Sequence, residues 1–289
     1  MSSITETPSR HIPDQPPREL RFRRKLNPRA DLLELARSRR LLRALTEREL
    51  RVRYKQAHLG FAWAILTPAT LMIIFTLLSA HSVINIGTSG KPAYLFAYAG
   101  LVPWTFFANS ISQGGMSLVT NLYLVNKIYC PREVFPISSV LVSIVDGFVA
   151  SLIFLVLFPI GHTAPSITSY WVPFLFLLEV IFTLGIALIT SIIVVYLRDL
   201  RHLIPIIVQF GLFATPVMYS MSKLPNNIQV IYSAINPLAP IIDSIREAVL
   251  FNHGPEWNLL AYAIPSSFIY LAIGYTLFKR LEPRVADVA

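Results

Sequence analysis

The chain has 289 residues, of which 54% are hydrophobic and only 14% charged, with a formal net charge of +9 at neutral pH. Soluble domains carry about 25% charged residues, so an ordinary soluble fold is excluded, and apolar runs of eighteen or more residues point to helices crossing a bilayer. The single cysteine, Cys130, rules out an internal disulfide or a thiolate metal cluster, and an expected cytoplasmic position suits a reduced thiol.

Residues 1–26 are rich in Pro and Arg and lack apolar periodicity, so disorder is expected there. Residues 27–60 read as cytoplasmic helices. Asn27 is a helix cap with Pro28 at the first helical position. Leu32, Leu35, Leu42 and Leu45 then recur at spacings near three and four, opposite a basic face of Arg37, Arg39, Arg40 and Arg43. Such a helix suits the inner leaflet, and the alternative is packing on the protein's own cytoplasmic surface. Thr46 and Glu49 have capping-box spacing, which predicts a separate short helix from Glu47 to His58, ended by Gly60.

Residues 61–281 form the expected membrane domain, an all-α unit of six transmembrane helices. The spans read as Ala62–Val83, Tyr94–Ser112, Val134–Phe158, Trp171–Tyr196, Leu203–Met221 and Leu259–Phe278. Fifteen Lys and Arg precede Gly60. Two lie after span two (Lys127, Arg132), two after span four (Arg198, Arg201) and three in the tail, residues 282–289 and the end of span six (Lys279, Arg280, Arg284). Only Lys91, Lys223 and Arg246 lie in the alternate connectors, so both termini are expected in the cytoplasm. The basicity therefore reads as topology and lipid contact rather than nucleic-acid binding. The first sixty residues are polar, so no cleavable signal is expected.

Two connectors are unusual. The first runs from Met116 to Pro136, about twenty residues where a membrane hairpin needs only a few, with a charge cluster at Lys127, Arg132 and Glu133 and with Pro131 and Pro136 stiffening its exit. The second, residues 222–258, is extracytoplasmic by the charge count yet holds two short apolar stretches divided at Asn236-Pro237. Short re-entrant or interfacial helices are expected there, the alternative being an ordinary loop with one surface helix.

Signatures of covalent or nucleotide chemistry are missing. The sequence has no GxxxxGK[ST] loop, HExxH helix, paired-Cys motif or GxSxG elbow, and its six histidines are scattered. No cofactor or metal is therefore expected on this chain. Asp146 and Glu179 lie within spans three and four, about 18 Å from the cytoplasmic end and about 12 Å from the outer end respectively at helical rise. In a slab of about 30 Å their depths nearly coincide. Acids at such depth are costly. They read as a proton-relay pair or, because Lys and Arg are expected to be missing at that depth, as protonated or Ser/Thr-bonded structural groups. Aromatics are abundant, and Phe75, Tyr98, Trp104, Phe107, Phe210, Phe213 and Tyr219 are candidates to line a path, although aromatic side chains also belong to the lipid face and the interfacial belts.

Four blocks carry a resemblance. They are Arg53–Phe75 (RYKQAHLGFAWAILTPATLMIIF), Gly100–Ser139 with its PWTFF and CPREVFP elements, Arg198–Ser220 (RDLRHLIPIIVQFGLFATPVMYS) and Ile235–Leu250 (INPLAPIIDSIREAVL). In this order, with six spans, the chain resembles membrane subunits of ABC exporters, in the branch that exports polysaccharides such as O-antigen, capsule and teichoic acid. One departure is Cys130, which stands before Pro131 where the family usually has an aromatic.

The resemblance implies a homodimer in the bacterial inner membrane, contacting membrane lipids, with two copies of a separate cytoplasmic ATPase subunit that binds the ATP and Mg. It implies a lipid-linked polysaccharide as substrate. It also implies that the first connector, about residues 121–133, is a coupling helix that docks on the ATPase through Asn126, Lys127, Tyr129, Arg132 and Glu133. Arg198 and Asp199 are expected to fix the inner end of span four through neighbouring charges. Readings left open are an exporter of drugs or small lipids, a proton-coupled transporter using Asp146 and Glu179, and a membrane glycosyltransferase, for which the acids are too dispersed.

Overall fold

The computed structural model describes residues 28–55, 60–82, 90–127 and 130–285, and the side chains of 28–32, 126, 127 and 284 lie outside that description. The expectation of disorder for residues 1–26 falls outside it as well. The described residues form an all-helical bundle without strands.

Two helices lead in: α1 (Pro28–Arg37) and α2 (Arg39–Tyr54). No helix begins at Thr46, contrary to the capping-box reading. The Thr46 hydroxyl donates back to the Leu42 carbonyl, a bond that leaves the helix intact, while Glu49 is engaged with Ser138 and Ser139 rather than with its own backbone. The break falls at Ser38 instead. Leu45 is buried with Leu35, Leu41 and Leu42 against the inner core, so the apolar stripe of α2 packs on the protein itself.

Membrane-sized helices follow. α3 (Ala62–Ala80) is apolar and mostly uncovered. α4 (Ala93–Thr120) is the hub, touching α3, α6, α8, α9 and the later α11. It is about 42 Å long at helical rise, and Leu95, Tyr98 and Leu101 are fully buried. Its inner end runs to Thr120, eight residues past the boundary expected at Ser112. The polar residues there do not stop the helix, because the Ser117 and Thr120 hydroxyls donate to carbonyls of their own preceding turn.

The connector keeps a single short helix, α5 (Leu122–Lys127). α6 (Val134–Ser151) and α7 (Phe154–Ile160) then make one interrupted span. α8 (Val172–Tyr196), entered through a 3₁₀ turn at Ile167–Trp171, lies tightly against α12 (Trp257–Leu281). The close approach rests on glycine: a Cβ on Gly274 would sit 2.3 Å from the Gly185 carbonyl oxygen.

α9 (Leu200–Ala214) is shorter than the expected span five, because Thr215 turns extended before Pro216 and ends the helix. α10 (Asn226–Ile235) and α11 (Leu238–Arg246), continued by a π-helical turn at Glu247–Phe251, meet at a bend of 112°. The bend falls at Asn236-Pro237, where the proline cannot continue a helical hydrogen-bond ladder. Among the described residues, four helices are long and apolar enough to cross a membrane, and the bent pair would make five.

Candidate functional site

The end of α4 and the start of α6 build one end of the bundle, the end expected to face the cytoplasm. Asn121 caps α4 by donating its side-chain amide to the Ser117 carbonyl at 2.9 Å. α5 then buries Val125 in the core formed with α2, α6, α8 and α12 and leaves Tyr123 exposed. Asn126 and Lys127 end this helix with side chains outside the description, and Tyr129 is outside it altogether.

Arg132 and Glu133 are fully placed, and neither is free. The Arg132 guanidinium donates to the Glu282 carbonyl oxygen, and its backbone N–H donates to the Glu282 carboxylate at 3.3 Å. Glu133 is 3% exposed, paired with Lys279 Nζ at 2.7 Å, and Lys279 also reaches Glu282 at 3.2 Å. Burial pushes the Glu133 carboxyl upward, against the pull of Lys279. These four residues clamp the start of α6 to the end of α12. Glu133 is thus a buried member of the clamp. Cys130 is half-buried beside them, and burial pushes its thiol up.

A second junction lies deeper. Glu49 of α2 accepts from the Ser138 and Ser139 hydroxyls at 3.1 and 3.3 Å, and burial pushes its carboxyl up. One turn on, Arg53 and Tyr54 both donate to the carboxylate of Asp146. The expectation that no Lys or Arg reaches this depth is overturned, because α2 runs beside α6 and Arg53 is long enough to bridge the gap. Asp146 is therefore ion-paired, and Asp146 and Glu179 share no hydrogen bond. Glu179 is fully buried, and among the described residues neither its carboxyl oxygens nor the buried hydroxyl of Thr183 one turn on has a hydrogen-bond partner. The sequence places these two acids at similar depth, but the fold does not join them.

The candidate path residues divide. Tyr98 is fully buried, donating to the Ala150 carbonyl at 2.8 Å, and Phe75 and Trp104 are also buried. Phe107 stacks on Phe182 with ring centroids 5.7 Å apart. These rings are core. Phe210 and Phe213 are exposed on α9, in line with Leu203, Ile206 and Ile207. Phe213 meets Phe75 of α3 edge-on at 6.5 Å, so α3 and α9 form one continuous apolar edge. Tyr219 donates to the Ala214 carbonyl at 3.2 Å and closes the turn after α9. Arg198 and Asp199 are both exposed, and neither has an ion pair among the described residues.

Sequence reasoning missed Arg246. It is fully buried, bonded to Asp243 at 2.8 Å and to the carbonyls of Pro216, Val217 and Tyr219, and it lies 4.1 Å over the Phe96 ring. Asp243 in turn accepts from the Ser220 hydroxyl and the Met221 N–H, both at 3.1 Å. The pair fastens α11 to the turn after α9. Its spacing, an Asp three residues before an Arg on a strongly amphipathic segment, was the available signal.

Known proteins bear on this arrangement. The chain is 29% identical over 252 residues to the O-antigen export system permease protein RfbA of Klebsiella pneumoniae, spanning 86% of this chain and 94% of that one. It is 31% identical over 257 residues to the protein of the same description from Myxococcus xanthus, spanning 88% and 97%. It is 25% identical over 245 residues to the polysialic acid transport protein KpsM of Escherichia coli, spanning 83% and 92%. Residues 40–250 match the family of ABC-2 type transporter membrane proteins. These matches cover all four blocks that carried the resemblance. The chain is a multi-pass inner-membrane transporter subunit and belongs to the ABC-2 type transporter family, in its polysaccharide-exporting branch.

Proposed function

We propose that this chain is the permease half of an ATP-driven exporter that moves a lipid-linked polysaccharide, of O-antigen or capsular kind, across the bacterial inner membrane. The identities to O-antigen and polysialic acid export permeases support the substrate class. Six crossings follow if α4 and α9 are counted with the four strongly apolar spans, and both termini then lie in the cytoplasm. α10 and α11 are then a re-entrant pair on the outer side. Two copies would meet along the α3–α9 edge and bind two ATPase subunits below.

The observation that carries the reading is the mechanical continuity behind the connector. α5 is keyed into the inner core through Val125 and presents Tyr123 outward. The clamp of Arg132, Glu133, Lys279 and Glu282 joins the following residues to α6 and α12. Glu49 and Arg53 join α6 to α2. A push on α5 would therefore move two spans and the cytoplasmic helix together, instead of bending a loop. ATP binding and hydrolysis on the partner supply two states, and this linkage biases the permease between them.

The test is a pull-down of the tagged chain from native membranes. The intact protein is expected to retain an ATPase subunit, and Lys127→Glu to weaken that retention by more than about tenfold, as charge reversal at a docking contact does. Arg132→Glu is a poorer probe, since it also breaks the clamp. If no ATPase is retained, or if Lys127→Glu keeps it fully, the coupling assignment fails.

A further inference from the structure

A slot of about 520 Å³, lined by Val52 and Met116 and otherwise by polar residues, opens between α2, α4 and α6. Arg48 and Arg53 of α2, Ser112, Gln113 and Asn121 of α4, and Ser139 of α6 stand on its walls. Nothing in the transport reading uses it. Its position is unusual: Asn121 is at the inner end of α4, whereas Gln113 is eight residues deeper, about 12 Å at helical rise. A bilayer adds a head-group layer of only several Å to each side of its hydrocarbon. The slot therefore carries exposed polar groups along α4 from its end to Ser112, the expected edge of the hydrocarbon, below which unmet polar groups are costly.

The charges and donors are graded along that depth. At the rim, Arg48 reaches Asn121 Oδ1 at a marginal 3.5 Å and has no carboxylate within ion-pair distance among the described residues. Arg53 is already balanced by Asp146. Glu49 also lines the slot, but both its oxygens accept from Ser138 and Ser139, and burial disfavours its charged form. Deeper in, Ser112 and Gln113 have no hydrogen-bond partner among the described residues, whereas the neighbouring Ser117 and Thr120 hydroxyls are spent on α4's own carbonyls. A guanidinium at the surface above neutral donors matches a lipid lying with its phosphate at the membrane face and its ester carbonyls below. Water alone would match the neutral donors but would leave the guanidinium without an anion. Inner-leaflet anionic lipids are also concentrated by a polybasic segment such as α1–α2.

We propose that this slot binds the phosphate-bearing head group of an inner-leaflet lipid, with Arg48 on the phosphate and Gln113 and Ser112 on the ester groups beneath. The lipid would wedge α2 against α4 at the junction where α2 also grips α6. The source is either a bulk glycerophospholipid or a polyprenyl diphosphate, which share the phosphate but differ in the ester carbonyls.

Native mass spectrometry of the purified protein separates these cases, titrated with phosphatidylglycerol, polyprenyl diphosphate and, as a phosphate-free control, digalactosyl diacylglycerol. Arg48→Gln is expected to weaken retention of the phosphate lipids about tenfold, the scale of one charge-assisted bond. Arg40→Gln, which removes the same charge from the exposed basic face, should leave retention unchanged. Gln113→Leu should weaken phosphatidylglycerol alone if the occupant is a glycerophospholipid, whereas no effect of Gln113→Leu together with an Arg48→Gln loss confined to polyprenyl diphosphate assigns the slot to that lipid. Thermal melting of each variant guards against simple misfolding. Equal retention of the galactolipid, no effect of Arg48→Gln, or equal losses in Arg40→Gln and Arg48→Gln each overturn the proposal.

Discussion

Asp146 shows how much a single side chain depends on a partner from another element. It is 5% exposed inside a span, yet Arg53 and Tyr54 reach it from α2, more than ninety residues away in sequence. Removing one member of a buried pair strands the other, at a cost of about 3 kcal/mol, whereas replacing both by apolar groups can be neutral. Arg53→Met is therefore expected to lower the melting temperature of the detergent-purified protein markedly, and Arg53→Met with Asp146→Leu to recover most of that loss. A double variant no more stable than the single one would show that the ion pair does not set the stability of this junction. The sequence made Asp146 visible but not its partner. Depth counted along one helix says nothing of a neighbouring helix laid against it, and the same limit hid the anchoring of Arg246. The burial of Glu133 was hidden for a related reason: a charge on a polar connector looks exposed until the end of α12 is brought beside it.

Whole elements were far more legible, because each span is a long apolar run with its own period. The exceptions have local causes. α4 outruns its apolar stretch since its hydroxyls bond back to the helix, and α9 stops early at Thr215 before Pro216. The contact between α8 and α12 was not legible at all, although two glycines determine it. Gly185 and Gly274 let the two backbones touch, and a Cβ on Gly185 would stand 2.7 Å from backbone atoms of Tyr270 and Leu271. Backbone cannot yield as a flexible side chain does, so the helices must part. Gly274→Ala should cost about 1–3 kcal/mol, in the range of an overpacked core. It should lower the melting temperature and loosen the clamp at Lys279 one turn further on. Gly254→Ala is the control, since nothing lies within 4 Å of a Cβ there. Equal stability of the two variants would mean that α8 and α12 are not held by this close approach.

At the scale of the molecule, the two sides of the bundle differ in what covers them. α8 and α4 are wrapped by their own neighbours, whereas α3 and α9 share an edge that exposes Ile73, Leu77, Ile206, Ile207, Phe210 and Phe213. Lipid or a second copy could cover such an edge, and hydropathy alone does not separate them, because acyl chains and leucine side chains are equally apolar. Geometry does. A two-fold dimer places equivalent residues of the two copies near each other close to its axis, so a cysteine there can pair with its own copy, provided the Cα atoms approach within about 7 Å. In a background with Cys130 replaced by Ser, Phe213→Cys is expected to give a disulfide-linked dimer on mild oxidation in native membranes. Ile269→Cys, on the equally exposed face of α12, should remain monomeric under the same conditions. Disulfide formation by Ile269→Cys and not by Phe213→Cys would move the interface to α12. The aromatic edge of α3 and α9 would then face lipid, and the route for the glycan would have to be sought on the α12 side.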